Sequence, residues 1–157
     1  MPAKMLKEFL DSQKVKYVTI THSTAYTAQE IASMAHIRGR DLAKTVIVKV
    51  DGQTAMAVLP AAYHVDLLAL KAVTGATTVV IATEAEFRGK FPECETGAMP
   101  PFGNLYGMPV FVDESLSLDR EIAFNAGNHN ELVRLAYDDF ARLVKPRIAR
   151  FSSAKAA

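Results

Sequence analysis

The chain has 157 residues, half of them hydrophobic and 22% charged, with a formal net charge of +1. That length and balance suit one domain, 1–157, with a real core, and exclude a collagen-like or disordered chain. No apolar run reaches the roughly 20 residues of a membrane-spanning helix, the N-terminus lacks the basic-then-apolar order of a secretory signal, and the one cysteine, Cys94, excludes an internal disulfide framework and fits a reducing cytoplasm.

Residues 3–13 suit a helix, with Pro2 near its first turn and Leu6, Phe9 and Leu10 on one side. Residues 15–21 alternate enough for a strand. Thr27-Ala28-Gln29-Glu30 is a capping box opening a helix to Ala35. Residues 45–50 and 54–59 are apolar runs joined through Asp51-Gly52, a hairpin signal. Asp66 opens a helix over 66–73 that Gly75 stops. Residues 78–82 read as a buried strand, and Thr83 with Glu86 makes a second capping box for a short helix reaching Gly89.

The next segment is Gly97-Ala98-Met99-Pro100-Pro101-Phe102-Gly103. Proline fixes φ and has no N–H, while glycine reaches positive φ cheaply, so this is a stiff loop. It suits either one wall of a pocket, with exposed amides, or a tight structural turn. Residues 109–113 and 121–126 then read as strands, Gly127-Asn128-His129-Asn130 as a turn and 131–136 as a strand. Asp138 or Asp139 caps a last helix ending before Pro146, and the tail frays from about residue 152. The order predicts an α+β fold: a mostly antiparallel, partly closed barrel-like sheet surrounded by helices.

Four histidines and one cysteine have no zinc-type spacing, so neither a metal nor another cofactor is expected. Among basic residues, Arg38, Arg40, Lys44 and Lys49 surround the first hairpin, and Lys145, Arg147 and Arg150 form a second set. Such sets suit phosphate contact or two ordinary solvated faces. Cys94 lies between Glu93 and Glu95, which raise a thiol's pKa and oppose nucleophilic use. His36 and His64 have no evident chemical partner.

Four features occur in a fixed order: His22 before the capped helix; Lys44 in Leu42-Ala43-Lys44-Thr45-Val46; the 97–103 loop; and Phe124-Asn125-Ala126-Gly127-Asn128-His129. With this combination the chain resembles the YbaK / prolyl-tRNA-synthetase-associated editing-domain family over roughly residues 4–150. The resemblance implies a freestanding, cytoplasmic hydrolase that cleaves the ester of a mischarged tRNA, with tRNA-Pro carrying a small amino acid as a candidate substrate. It implies contact with the tRNA acceptor end, an aminoacyl-tRNA synthetase as a candidate partner, and no membrane or metal.

The resemblance implies catalytic roles for Lys44 and Gly97. Lys44 would hold a phosphate or ribose, or polarise the ester carbonyl. Glycine amides would stabilise the oxyanion. Met99, Pro100, Pro101, Phe102, Gly103, Asn125, Gly127, His129 and His22 are expected to bind substrate, and Arg38, Arg40 and Lys49 to bind tRNA. His129 fits a pocket lining, an acid–base role or an exposed turn. Met56, Met99 and Phe102 are expected to narrow the pocket for a small amino acid. No protein general base stands out, so the substrate's ribose hydroxyl is expected to orient the attacking water. The competing readings are a non-catalytic tRNA- or synthetase-binding module and a cysteine-dependent hydrolase.

Overall fold

The computed structural model describes residues 4–21, 41–91, 94–95 and 97–153. The expected capped helix at 27–35, together with His22, Arg38 and Arg40, lies outside the described residues.

Helix α1 (Lys4–Ser12) buries Leu6 and Leu10 and leads into β1 (Tyr17–Thr21). Strands β2 (Leu42–Val50) and β3 (Gln53–Pro60) form the expected hairpin, with Asp51 and Gly52 at φ 49° and 84°. Two positive φ angles give a two-residue turn the twist its flanking strands need. After β4 (His64–Val65) comes α2 (Leu67–Thr74), which both predicted caps delimit. The Asp66 side chain accepts from the Ala69 amide, and Gly75 is left-handed. Strand β5 (Val79–Ile81) precedes α3 (Glu84–Phe87), whose Thr83–Glu86 capping box is fully formed. Strand β5 is not buried throughout: Val80 and Ile81 are about half exposed, because the strand pairs β2 at the sheet's margin.

Strand β6 (Val110–Asp113), helix α4 (Glu114–Ser117) and the β7 (Glu121–Asn125) and β8 (Glu131–Ala136) pair follow. Helix α5 (Tyr137–Val144) has Ala136, not Asp138 or Asp139, at its N-cap. The two aspartates stand in its first turn, where they meet the positive end of the helix dipole. Strands β9 (Arg147–Ala149) and β10 (Ser152–Ser153) end the described chain.

The main sheet runs β1-β8-β7-β2-β3-β6-β9, with β5 also on β2, and β10 pairs β4 separately. It is mixed: β2 with β7, β3 with β6, and β6 with β9 are parallel, and the remaining pairs are antiparallel. The expected mixture of helices with a large, mostly antiparallel sheet therefore holds. The sheet is not closed, since the end strands β1 and β9 do not pair among the described residues.

Side-chain alternation divides the core between the two sheet faces. Ala43, Ile47, Met56, Val58, Val110, Val112, Ile122 and Phe124 share one apolar cluster with Leu6, Leu10, Phe102 and Phe140. Val48, Ala55, Ala57, Leu59 and Phe111 share a second with Leu70 and Phe151.

One carboxylate ties the C-terminal segment to this frame. Asp113 is 3% exposed, and it accepts from the amides of Phe151 (2.9 Å) and Ser152 (3.0 Å) and from the Ser115 amide (3.2 Å) and hydroxyl (2.5 Å). Burial pushes its pKa up, but these donors outweigh burial and hold it below the ordinary value. A depressed folded-state pKa adds stability above the unfolded pKa and loses it as pH falls through the folded one. Asp113→Ala is expected to cost about 2–3 kcal/mol at neutral pH, from lost charge-assisted bonds. Its deficit against wild type, followed by denaturant unfolding, should shrink below about pH 4.

Candidate active site

Strands β2 and β7 pair for two residues only, Leu42 with Ala123 and Ala43 with Phe124. They then part: β7 ends at Asn125, while further along β2 the partner is β5, at Val48, Lys49 and Val50. Continuing the register by one residue sets Lys44 beside Asn125 at the fork. Ala43 and Phe124 point into the first core cluster, so Lys44 and Asn125 share the opposite face.

Lys44 is cross-strand from buried Leu59, at the margin of the second cluster. Burial pushes its ammonium pKa down, and no described carboxylate offsets this. The Asn125 Oδ1 atom is buried with no hydrogen-bond partner among the described residues. A desolvated cation and an open amide oxygen, side by side, form a polar pair that a ligand can complete.

Beyond Asn125 the chain turns through Gly127 (φ 98°), and the Ala126 amide donates to the Glu131 carbonyl at 3.0 Å. Asn128 Oδ1 accepts from the Asn130 amide at 3.0 Å, which fixes the turn. The 95–98 segment is stitched to this turn: the Glu95 amide donates to the Gly127 carbonyl (2.7 Å), and the Gly127 amide to the Ala98 carbonyl (2.9 Å). Gly97 has φ 84°, and a Cβ built on it would lie 3.7 Å from His129 Cε1. His129 Nε2 is 3.9 Å from Glu95 Oε2. Sequence reading did not single out Glu95 as a neighbour of His129; only the fold joins the two loops.

The structure thus gathers Gly97, Asn125, Gly127 and His129 around the end of β7, with Lys44 beside Asn125. The rest of the proline loop goes elsewhere. Met99 is 4% exposed and Phe102 0%, both in the first core cluster. The Phe102 ring packs on Phe9, Phe124 and Phe140 with centroids 6.2, 5.5 and 5.6 Å away. Pro100, Pro101 and Gly103 are buried with it. Met56, 0% exposed, joins the same cluster, on the face away from Lys44, so neither methionine is placed to size a pocket there. Of the candidate amides, that of Ala98 is already donated to the Glu95 carbonyl at 3.1 Å, whereas that of Gly97 has no acceptor among the described residues.

Lys49 is at the far end of β2 on the other face and ion-pairs with Glu86. Both line an open cavity of about 640 Å³ at the hairpin tip, with Lys90 and Gly107. Chemistry favours the fork over that cavity, because among the described residues the fork holds a desolvated cation with no carboxylate offsetting it. In the second basic set, Arg147 donates to the Val73 carbonyl at 2.6 Å and Arg150 pairs with Glu114. Cys94 Sγ lies 3.6 Å from the Tyr106 hydroxyl, and His64 is on β4, opposite Ser153.

Residues 22–143 match the family model of the aminoacyl-tRNA editing domain. The chain is 30% identical over 151 residues to the multifunctional Ser/Thr-tRNA deacylase ProXp-y of Escherichia coli (strain K12), covering 90% of this chain and 87% of that one. Among solved structures, a proposed trans-editing enzyme for prolyl-tRNA synthetase superposes with TM-score 0.83 at 21% identity, with 97% of each chain covered. A hypothetical protein, APE2540, superposes with TM-score 0.85 at 18% identity, covering 94% of this chain and 99% of that one. At these identities the two structures establish the fold. Among the described residues, no helix is long and apolar enough to cross a membrane.

Two loop glycines separate stability from site geometry. A Cβ on Gly103 would meet the Met108 carbonyl oxygen at 2.3 Å, so Gly103→Ala is expected to cost about 3 kcal/mol or more of stability. Gly97→Ala meets only ordinary contact but a positive φ, and should cost about 1–2 kcal/mol while changing the site. Thermal unfolding of both variants, alongside deacylation assays, should show Gly103→Ala losing more Tm and Gly97→Ala losing more activity for its Tm.

Proposed function

This chain belongs to the aminoacyl-tRNA editing domain family, and we propose that it is a freestanding deacylase that hydrolyses the ester of a mischarged tRNA. The observation that carries the reading is the fork, where Lys44 adjoins Asn125 and the Gly97 loop is bound to the Gly127 turn. An aminoacyl ester needs three things: an oriented water, donors for the developing oxyanion, and a fit to the amino acid.

Lys44 supplies the positive charge, directed to the ester carbonyl or the terminal phosphate. The Gly97 amide, which has no acceptor among the described residues, supplies an oxyanion donor. The Asn125 amide oxygen accepts from the substrate's ammonium or side-chain hydroxyl. His129, held against Gly97, shapes the pocket. Water adds to the acyl carbon, the C–O ester bond breaks, and the ribose oxygen takes a proton. A free amino acid and an uncharged tRNA are released. The neighbouring ribose hydroxyl orients the water, so a 2′-deoxy terminal nucleotide should slow turnover.

The substrate we infer is a small amino acid, seryl or threonyl, in line with the activity named for the Escherichia coli relative. tRNA-Pro remains a candidate carrier, and an aminoacyl-tRNA synthetase a candidate partner. A binding module without catalysis is the second reading, favoured by the lack of any assigned general base.

Lys44→Met tests the assignment, since it keeps an apolar stem and removes the charge. Deacylation across a panel of mischarged tRNAs should fall at least about 100-fold. Tm at neutral pH should be unchanged or raised, because the variant no longer buries a cation. The sign follows from the depressed folded-state pKa: wild-type stability rises as pH climbs through it towards the ordinary lysine range, and any advantage of Lys44→Met disappears. No turnover by wild type on any mischarged tRNA would favour the binding module.

A further inference from the structure

The cavity at the hairpin tip is assembled by three stretches of chain far apart in sequence. Lys49 and Thr54 face each other across the β2–β3 hairpin, just behind its Asp51-Gly52 turn. Glu86 comes from α3, and Lys90 from the 3-10 turn that follows it (Arg88–Lys90). Gly107 comes from the loop before β6, which is fastened to β3 where the Met56 amide donates to the Pro109 carbonyl at 2.9 Å. Lys49, Thr54, Glu86, Lys90 and Gly107 all line an open volume of about 640 Å³, which suits a small ligand or one group of a larger one. Lys49 is five residues from Lys44, so the cavity is about 17 Å along β2 from the fork and on the opposite face.

Charge in this cavity favours an anion. Lys49 pairs with Glu86 Oε2, while Glu86 Oε1 accepts from the Thr83 amide at 2.9 Å. Both oxygens of the lining carboxylate are thereby engaged, and the Lys49 contact, with the Thr83 cap, holds its pKa down at about 2. An ammonium has three donors, so Lys49 keeps two after Glu86 takes one. Lys90 is exposed and has no carboxylate partner among the described residues. Two lysines thus meet one carboxylate. The amides of Gly52 and Gly107, which both line the cavity, have no acceptor among the described residues. A Cβ on either glycine would meet nothing within 4 Å, so the backbone there is open to a ligand. Among the described residues no aromatic side chain lines the cavity, so it offers no stacking face to a base. Ammoniums and open amides around a polar hollow are donors that suit phosphate oxygens.

We propose that this cavity is a second ligand site, separate from the fork, and that it binds a phosphate group carried either by tRNA or by a free nucleotide. Lys90 supplies the uncompensated charge, and Lys49 supplies two further donors. Glu86 holds Lys49 in place and limits affinity, because its own charge opposes the anion. The site binds its ligand and makes or breaks no bond. The inference goes beyond the deacylase reading and uses no residue of the fork.

The test is NMR titration of the full chain with AMP at fixed ionic strength, followed at the Gly52 and Gly107 amides, beside a salt series of uncharged-tRNA binding. AMP should move both amides saturably, and acetate should not. Lys90→Gln, at an exposed position, should keep the wild-type Tm and weaken phosphate binding about fivefold or more. Glu86→Gln retains an acceptor for the Thr83 amide and should tighten binding about twofold or more, since the opposing charge is gone. The tRNA series identifies the source of the phosphate. A log–log salt slope shallower by about 0.7–0.9 in Lys90→Gln assigns it to tRNA, and an unchanged slope with weakened AMP binding assigns it to a free nucleotide. The inference is overturned if neither AMP nor tRNA binding responds to Lys90→Gln, if Glu86→Gln weakens binding, or if acetate moves the two amides as AMP does. Deacylation enters neither readout, so failure of this inference leaves the deacylase reading standing, and the reverse.

Discussion

The site depends on a parallel pairing that lasts two residues. Backbone bonds between β2 and β7 hold Ala43 to Phe124 and then stop, which leaves Lys44 and Asn125 side by side where the strands part. Crevices at the carboxyl ends of parallel strands suit ligands, because backbone and side-chain groups point there without a neighbouring strand to satisfy them. The antiparallel β2–β3 hairpin fixes the other side of Lys44 through Leu59. Sliding β7 by one residue would move Asn125 to the opposite face, so the fork is specified as strongly as the core that Phe124 fills.

The proline loop links that core to the site. Phe102 is clamped among Phe9, Phe124 and Phe140, and Gly103 fits only because it lacks a side chain. A loop anchored this firmly at one end presents Gly97 at a fixed place at the other, against His129 and the Gly127 turn. Two prolines reduce the freedom of the segment between them. Preorganisation of this kind lets a donor meet developing charge with no reorganisation at the moment of reaction.

Local signals in the sequence were readable because their chemistry is local. The Asp51-Gly52 turn, the caps Asp66 and Gly75, and the Thr83–Glu86 box all formed where their residue types demand. Lys44, Gly97 and His129 stood out through a family pattern, whereas their grouping depends on contacts between residues far apart in sequence. The loop's apolar residues looked like pocket wall, and burial made Phe102 and Met99 core instead. Asp113 looked like a strand end, and its hold on Phe151 needed 38 residues of intervening chain to be placed first.

The proposed chemistry rests on a desolvated Lys44 ammonium that waits at the fork for an anionic or carbonyl oxygen of the substrate. Its pKa, followed by NMR of the labelled lysine Nζ, tests this directly. The expected value lies below the ordinary lysine range in the free protein and rises when a non-hydrolysable aminoacyl-tRNA analogue binds and supplies oxygen partners. An ordinary pKa in the free protein, or one that the bound analogue leaves unmoved, would contradict it.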